Sequence, residues 1–404
     1  MRYCFIIANS RLDYFNLVNV KAEMSVETGF ILITDRQGTA NIERSFKSSL
    51  YTRHVLDEIN YNDCRDILNL YLKNNDNRHC IVCTNEKLLM ICARLREIFK
   101  IHGAKPYQYI PYISKRQMKQ VVSRAGVSVP DFIDFDGINS CRNLTEYHSF
   151  IYSTLGPYVI KPLDGGGSED TVIVKEYKDI EYWYKTSFKQ NEEYTAERYI
   201  KGTFYLCDSF IYNGEIKFAE VSRYLSPNLD FTKGLPLGGY PLRDNSLKNK
   251  ALTLNEKVIK AMHTPDGAAH MEFFEENGNL VFIEIGARPP GKSVVNCHKL
   301  NFGINLYELT LRYELGLYLN FTGDVNLFHG WVCMPKIPGI VKKIEKPKLN
   351  SELSINWNIK VGEEIRHLPS SLKEGTAADI MCYNKNLQEL ISDMESLKNY
   401  KLYS

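Results

Sequence analysis

The chain has 404 residues, 44% hydrophobic and 24% charged, with a formal net charge of +2 at pH 7. That composition suits two or three soluble domains with a real core and excludes an intrinsically disordered chain. The near-neutral balance leaves no basic stripe for nucleic acid, and no apolar run approaches the ~20 residues of a membrane span, so neither is expected as a partner.

The N-terminus, MRYCFIIANSRLDYF, carries an apolar patch too short for the core of a secretory signal, and residues 3–8 are predicted as a first strand. GFILITD reads as a strand. YNDCRDILNLYLKN has helical spacing, with Ile67, Leu68, Tyr71 and Leu72 on one side. HCIVCTN reads as a strand again and EKLLMICARLREIFK as a helix. This alternation predicts a parallel sheet with helical crossovers over residues 1–105. No G-x-G-x-x-G occurs there, so a dinucleotide site is not supported. Cys80 and Cys83 form a C-x-x-C, but it lies in an apolar strand and has no second pair to complete a zinc site. The ten cysteines are therefore expected as buried, reduced thiols, which points to the cytoplasm.

A boundary is expected near His102-Gly103-Ala104-Lys105-Pro106, opening a domain over residues 106–320. SKRQMKQVVSRAGVSVPDFIDF reads as a helix capped by Ser114 and ended by Gly126, then a strand. Tyr158-Val159-Ile160-Lys161-Pro162 is a strand ending in lysine; Gly165, Gly166, Gly167 and Ser168 form a loop, and TVIVKE returns as the second arm of a hairpin. EYTAERYIKGTFYLCDSFIYNGEIKFAEV reads as a strand, a link, and two strands about Asn213-Gly214. Residues 246–263 are predicted helical, and GAAHMEFFEENGNLVFIEIGARPPGK is another hairpin. Residues 321–404 change to short strand signals and close on a helix, NLQELISDMESLKNY, predicting a small C-terminal α+β domain.

The segment GARPPGKS fits G-x-x-x-x-G-K-[ST] letter for letter. A P-loop, however, binds phosphate through consecutive backbone N–H groups, and Pro289 and Pro290 remove two of them. The preceding hairpin points elsewhere. Its odd positions Met271, Phe273, Val281, Ile283 and Ile285 are apolar, whereas its even positions include His270, Glu272 and Glu284. With side chains alternating faces, one face is core and the other carries two carboxylates and an imidazole. A three-residue loop, Asn277-Gly278-Asn279, would set Glu272 opposite Glu284. Like charges so placed are destabilising unless neutralised, and Mg²⁺ suits them; a solvent-facing strand is the alternative.

In this order, Lys115 in SKRQMKQ, Lys161 in YVIKPLDGGGS, Glu197 in AERYIKG, Glu272 in AAHMEFF, and Glu284 with Arg288 in FIEIGARPPG resemble the ATP-grasp superfamily, specifically its carboxylate–amine ligases. The resemblance covers about residues 105–320 and implies a mixed α/β and α+β fold. That fold has an N-terminal open parallel α/β domain and an ATP-grasp domain whose subdomains, about 106–196 bearing the lid and 197–320 bearing the metal, clasp ATP. A small C-terminal domain completes it. The resemblance further implies that Lys115 and Lys161 contact ATP phosphates and that Gly165 to Ser168 form the lid. Glu197, Tyr199 and Ile200 would belong to the adenine hinge. Glu272 and Glu284 would bind Mg²⁺ or Mn²⁺, and Arg288 would stabilise the transferred phosphoryl group. Many relatives carry Asn two residues after the second glutamate, where this chain has Gly286, which leaves one or two metals open.

The implied reaction makes an acyl phosphate from a small-molecule carboxylate and ATP, which an amine, most simply of an amino acid, attacks to give an amide, ADP and phosphate. Candidate substrate residues are His270, as a base or a packing residue; Arg223, toward a substrate carboxylate; and Gly291 with Lys292 in the acceptor loop, where a solvated lysine is the alternative. Carboxylase or formyl-transfer chemistry of the biotin and purine type, and a non-catalytic ATP sensor, are competing readings. A homodimer is among the assemblies left open.

Overall fold

The computed structural model describes residues 1–24, 26–36, 38–39, 50–72, 78–134, 143–164, 168–291, 293–321, 323, 327–371 and 375–403. Gly165, Gly166, Gly167 and Lys292, singled out above, lie outside the described residues.

β1 (Arg2–Ile7), β2 (Thr28–Asp35), β3 (Thr52–Leu56) and β4 (Cys80–Val82) make a four-stranded, wholly parallel sheet in the order β3-β2-β1-β4. Its central strand reads as an unbroken apolar run because both faces are covered: Phe5 and Ile7 join one core cluster, Cys4 and Ile6 another. The C-x-x-C is divided the same way, Cys80 to one cluster and Cys83 to the other. All nine cysteines among the described residues are free and buried.

A second sheet holds β5 (Phe132–Asp134), β6 (Tyr158–Pro162), β7 (Val172–Val174) and β8 (Tyr194–Arg198), antiparallel in the order β5-β8-β6-β7. Helices Leu144–Leu155 and Tyr177–Thr186 cover one face, where Tyr147, Ile151 and Trp183 pack on Tyr158, Ile160 and Ala196. Alternation then turns Val159, Lys161 and Glu197 to the other face.

The largest sheet takes β9 (Thr203–Tyr212), β10 (Glu215–Tyr224), β11 (Leu237–Pro241), β12 (Gly267–Glu276), β13 (Asn279–Gly286) and β14 (Phe328–Pro335). After a short β15 (Gly339–Ile340), the chain adds β16 (Glu352–Trp357), β17 (Glu364–Ile365) and β18 (Thr376–Asn384). The eight strands run antiparallel as β13-β12-β9-β10-β11-β14-β18-β16, and β15 pairs with β17 apart. The C-terminal segment thus extends the sheet that begins at residue 203. Helices Lys115–Arg124 and Asn245–Ala261 bury one face through Met118, Val122, Leu254 and Val258. Helix Val294–Phe302 covers part of the other through Val294 and Cys297. Among the described residues no helix is long and apolar enough to cross a membrane.

The β12–β13 hairpin corrects one detail of the sequence reading. Its turn holds two residues, not three: Glu276 pairs with Asn279, and Asn277 (φ 54°) and Gly278 (φ 84°) occupy the left-handed region. Asn-Gly is the favoured two-residue pair because its twist matches that of the strands. The odd residue is absorbed by a β-bulge, since Glu272 pairs with Glu284 while Phe273 pairs with Phe282, leaving Ile283 unopposed. The bulge also reassigns faces: Phe282 and Ile285 both enter the core, while Ile283 turns to the cleft beside Glu284.

Candidate active site

The open face of the small sheet looks across a cleft at one end of the large sheet. The cleft, about 1080 Å³ and open to solvent, is lined by Val159, Lys161 and Ile173 on one side and by Phe204, Phe274, Ile283, Glu272 and Glu284 on the other. The connecting segment Glu197 to Ile200 forms its inner edge, and Lys115 and Ser168 stand at the rim.

That edge is held by specific contacts. Arg198 pairs with Glu276 at 3.0 Å, and the Lys201 N–H donates to the same carboxylate at 2.9 Å. Gly202 is required at this crossing, because a Cβ there would fall 2.1 Å from the Glu275 carbonyl oxygen. The Lys175 ammonium lies 5.8 Å from the centre of the Tyr199 ring.

Between the sheets lies a buried charge triad. Glu197, 3% exposed, meets Lys119 at 2.7 Å through one oxygen and Lys161 at 2.9 Å through the other. Burial pushes the Lys119 pKa down to about 8 against the pull of Glu197. Burial opposes charge on Lys161 too, but there Glu197 and Glu284 outweigh it and raise its pKa. Burial likewise works against the Glu197 carboxylate, and the two lysines overcome it. Lys119 was missed in the sequence; its only signal was standing four residues, one helical turn, after Lys115. The Lys115 Nζ reaches the Leu163 carbonyl at 3.5 Å.

On the opposite wall Glu272 stands directly across from Glu284. Glu272 Oε1 accepts from the Tyr224 hydroxyl at 2.8 Å and Asn228 Nδ2 at 3.0 Å, and lies 3.5 Å from His270 Nε2. Burial opposes its ionisation, but His270, Tyr224 and Asn228 together keep its pKa low. Among the described residues Glu284 forms no ion pair, and no three His, Cys, Asp or Glu side chains converge into a preformed metal cage. Two carboxylates of this kind would suit Mg²⁺, a hard cation that takes oxygen ligands.

His270 does not line the cleft; it lies behind Glu272, its Nδ1 2.6 Å from Asp208 Oδ1. The second Asp208 oxygen lies 2.6 Å from His298 Nε2. Burial disfavours charging His270, yet Asp208 and Glu272 prevail and raise its pKa to about 9. Asp208, though its burial acts the other way, is held down to about 2 by the two imidazoles.

The remaining candidates lie apart. Arg288 is outside the cleft lining, its Nε on Glu86 at 2.8 Å, at the start of an N-terminal-domain helix. Burial opposes its charge, but Glu86 and Glu284 raise its pKa. A Cβ on Gly286 would come within 3.3 Å of Arg288 Cγ, so the glycine leaves room for that arginine to fold back. Arg223 neighbours Tyr224, whose hydroxyl meets Glu272, and therefore faces the other side of the sheet, opposite Tyr205. Gly291 is beside Arg11, whose Nη2 would lie 3.1 Å from a Cβ there. Residues 287–291 follow an antiparallel strand, with Pro289 and Pro290 buried and the Pro290 carbonyl facing the Tyr307 hydroxyl at 3.5 Å.

A scan against profiles of known protein families finds no match. In sequence the chain is 28% identical over 309 residues, 72% of each chain, to an L-arginine-specific L-amino acid ligase of Bacillus subtilis. In fold it is similar to an L-amino acid ligase of Bacillus licheniformis, with TM-score 0.71 and 16% identity over 98% of this chain and 97% of that one. It is also similar to an N5-carboxyaminoimidazole synthetase of Staphylococcus aureus complexed with ADP, with TM-score 0.67 and 18% identity over 98% and 97% of the chains. With its cleft between two sheets and the paired glutamates on one wall, the chain has the fold of the ATP-grasp ligases and is similar in sequence to an L-amino acid ligase.

Proposed function

We propose that this protein joins a small-molecule carboxylate to an amine, both from amino acids, through an acyl phosphate, with release of ADP and phosphate. The observation that carries the reading is the register of β12 and β13: Glu272 opposite Glu284 on the wall of a cleft whose other wall presents Lys161. ATP would lie between the sheets, its base among Val159, Ile173, Phe274 and Ile283 and its phosphates toward Lys115, Lys161 and Ser168. When bound, Mg²⁺ would neutralise phosphate charge and hold the triphosphate in line for attack. Glu272 and Glu284 would hold that ion, and the Tyr224 and Asn228 contacts fix the Glu272 carboxylate. Lys161, kept protonated by Glu197 and Glu284, supplies positive charge to the phosphates. Arg288, at the junction with the N-terminal domain, would act on the transferred phosphoryl group once drawn from Glu86. The division at residues 105, 196 and 320 and a cytoplasmic location belong to the same proposal.

The test is a screen of amino-acid pairs for phosphate release with products identified by mass. A pair that yields its dipeptide with ADP and phosphate is expected. AMP and pyrophosphate would reject the acyl-phosphate route, and bicarbonate-dependent ADP release without any amino acid would favour carboxylation.

A further inference from the structure

On the cleft-side face of the large sheet, β9 presents Phe204, Leu206, Asp208 and Phe210 in alternation, all buried, so that one carboxylate interrupts an apolar row. Asp208 has no exposed surface. A carboxylate so placed is costly unless each oxygen is satisfied. Here each is, by one imidazole: His270 Nδ1 from the neighbouring strand and His298 Nε2 from helix Val294–Phe302, both at 2.6 Å. Asp208 accepts only, so both rings must place an N–H toward it, which fixes both tautomers and ring planes. The rings of Phe218, at 5.7 Å, and Phe302, at 6.1 Å, pack against His298 and lie 6.0 Å from each other.

The consequence falls on Glu272. With Nδ1 committed to Asp208, His270 can turn only Nε2 to Glu272 Oε1, the oxygen that also accepts from Tyr224 and Asn228. All contacts formed with described residues fall on that one oxygen, which leaves Oε2 for the cleft. We infer that Asp208 and His298 are positioning residues for this carboxylate, forming a His298–Asp208–His270–Glu272 chain that ties the helix after the acceptor loop to the metal-facing strand. This rests on the reading of Glu272 and Glu284 as metal ligands. Outer contacts of this sort govern metal affinity by about 10–100-fold in other sites.

The experiment measures, by calorimetry, binding of a non-hydrolysable ATP analogue with Mn²⁺ and with EDTA, and takes the ratio as the metal enhancement. Asp208→Asn cannot accept from both imidazoles, and His298→Leu donates nothing. Each is expected to lower the enhancement about tenfold while leaving metal-free binding unchanged. His298→Gln keeps an N–H for Asp208 and is expected to stay within about threefold of wild type. If Asp208→Asn does not fold, the two His298 variants decide. Wild-type enhancement in Asp208→Asn or His298→Leu, or an equal loss in His298→Gln and His298→Leu, overturns the relay. Glu284→Gln is measured alongside. If it abolishes the enhancement while the relay variants keep theirs, only the relay fails; if it too keeps the enhancement, the metal reading falls and the relay with it.

Discussion

Replacing Glu197 by Gln removes the carboxylate shared by Lys119 and Lys161, which it meets at 2.7 and 2.9 Å. Both ammonium groups stay buried, Lys161 lining the cleft and Lys119 outside its lining and only 1% exposed. Breaking a buried ion pair from one side costs about 3–5 kcal/mol, because the surviving charge keeps its desolvation penalty and loses its attraction. At about 1.2 °C per kcal/mol for a chain of 404 residues, the melting temperature should fall by about 4–6 °C. Two further variants separate this mechanism from loss of packing. Adding Lys119→Met removes one of the two uncompensated charges and should recover most of the loss. Tripolyphosphate, which can replace the missing carboxylate between the lysines, should raise the melting temperature of Glu197→Gln more than that of the wild type. Circular dichroism melts with and without 1 mM-range tripolyphosphate, roughly a binding-range concentration for a weak anion, make the comparison. A melting point within about 2 °C of wild type, or no recovery in the double variant, would show that the triad is not the anchor its distances suggest.

Glu284→Gln should cut metal-dependent ADP formation by about 100-fold or more with an unchanged melting temperature, read by coupled ADP assay; undiminished turnover would remove the metal assignment. Gly286→Ala adds a Cβ 3.3 Å from Arg288 Cγ. The arginine must then give by a few tenths of an ångström, which should lower kcat by up to about tenfold with the KM for ATP unchanged, and an unaffected kcat would free Arg288 from the chemistry. Lys119, held down to about 8, sheds its proton in the folded state before it does in the unfolded chain. The penalty is therefore present below pH 8 and relieved as pH rises toward the unfolded value near 10.4. Relative to Lys119→Met, the wild type should gain about 2 kcal/mol between pH 8 and 9.5 in urea titrations, and parallel curves would contradict the shift.

Local pattern was enough for much of this protein. The apolar run of β1 told of a sheet covered on both faces, and helix Lys115–Arg124 announced itself through Ser114, whose hydroxyl accepts the Gln117 N–H, and Gly126 at φ 77°. Period-two alternation put Glu272 and Glu284 on one face, and two prolines argued against a phosphate loop. Each of these is a short-range constraint, written in neighbouring residues. What the chain alone did not reveal depends on partners distant in sequence. The bulge at Ile283 follows from fitting an Asn-Gly turn and two facing glutamates into one hairpin, so spacing alone assigned Ile283 to the core. Arg223 and Tyr224 are equally plausible as residue types; only the placement of β10 beside β9 sends the tyrosine to Glu272 and the arginine away. Lys119, Asp208, His298 and Glu86 carry no local motif, because a buried charge is meaningful only through the group that neutralises it. Those groups come from residues 78, 90 and 202 positions away, for Lys119, Asp208 and Glu86 respectively, and tertiary packing alone brings them together.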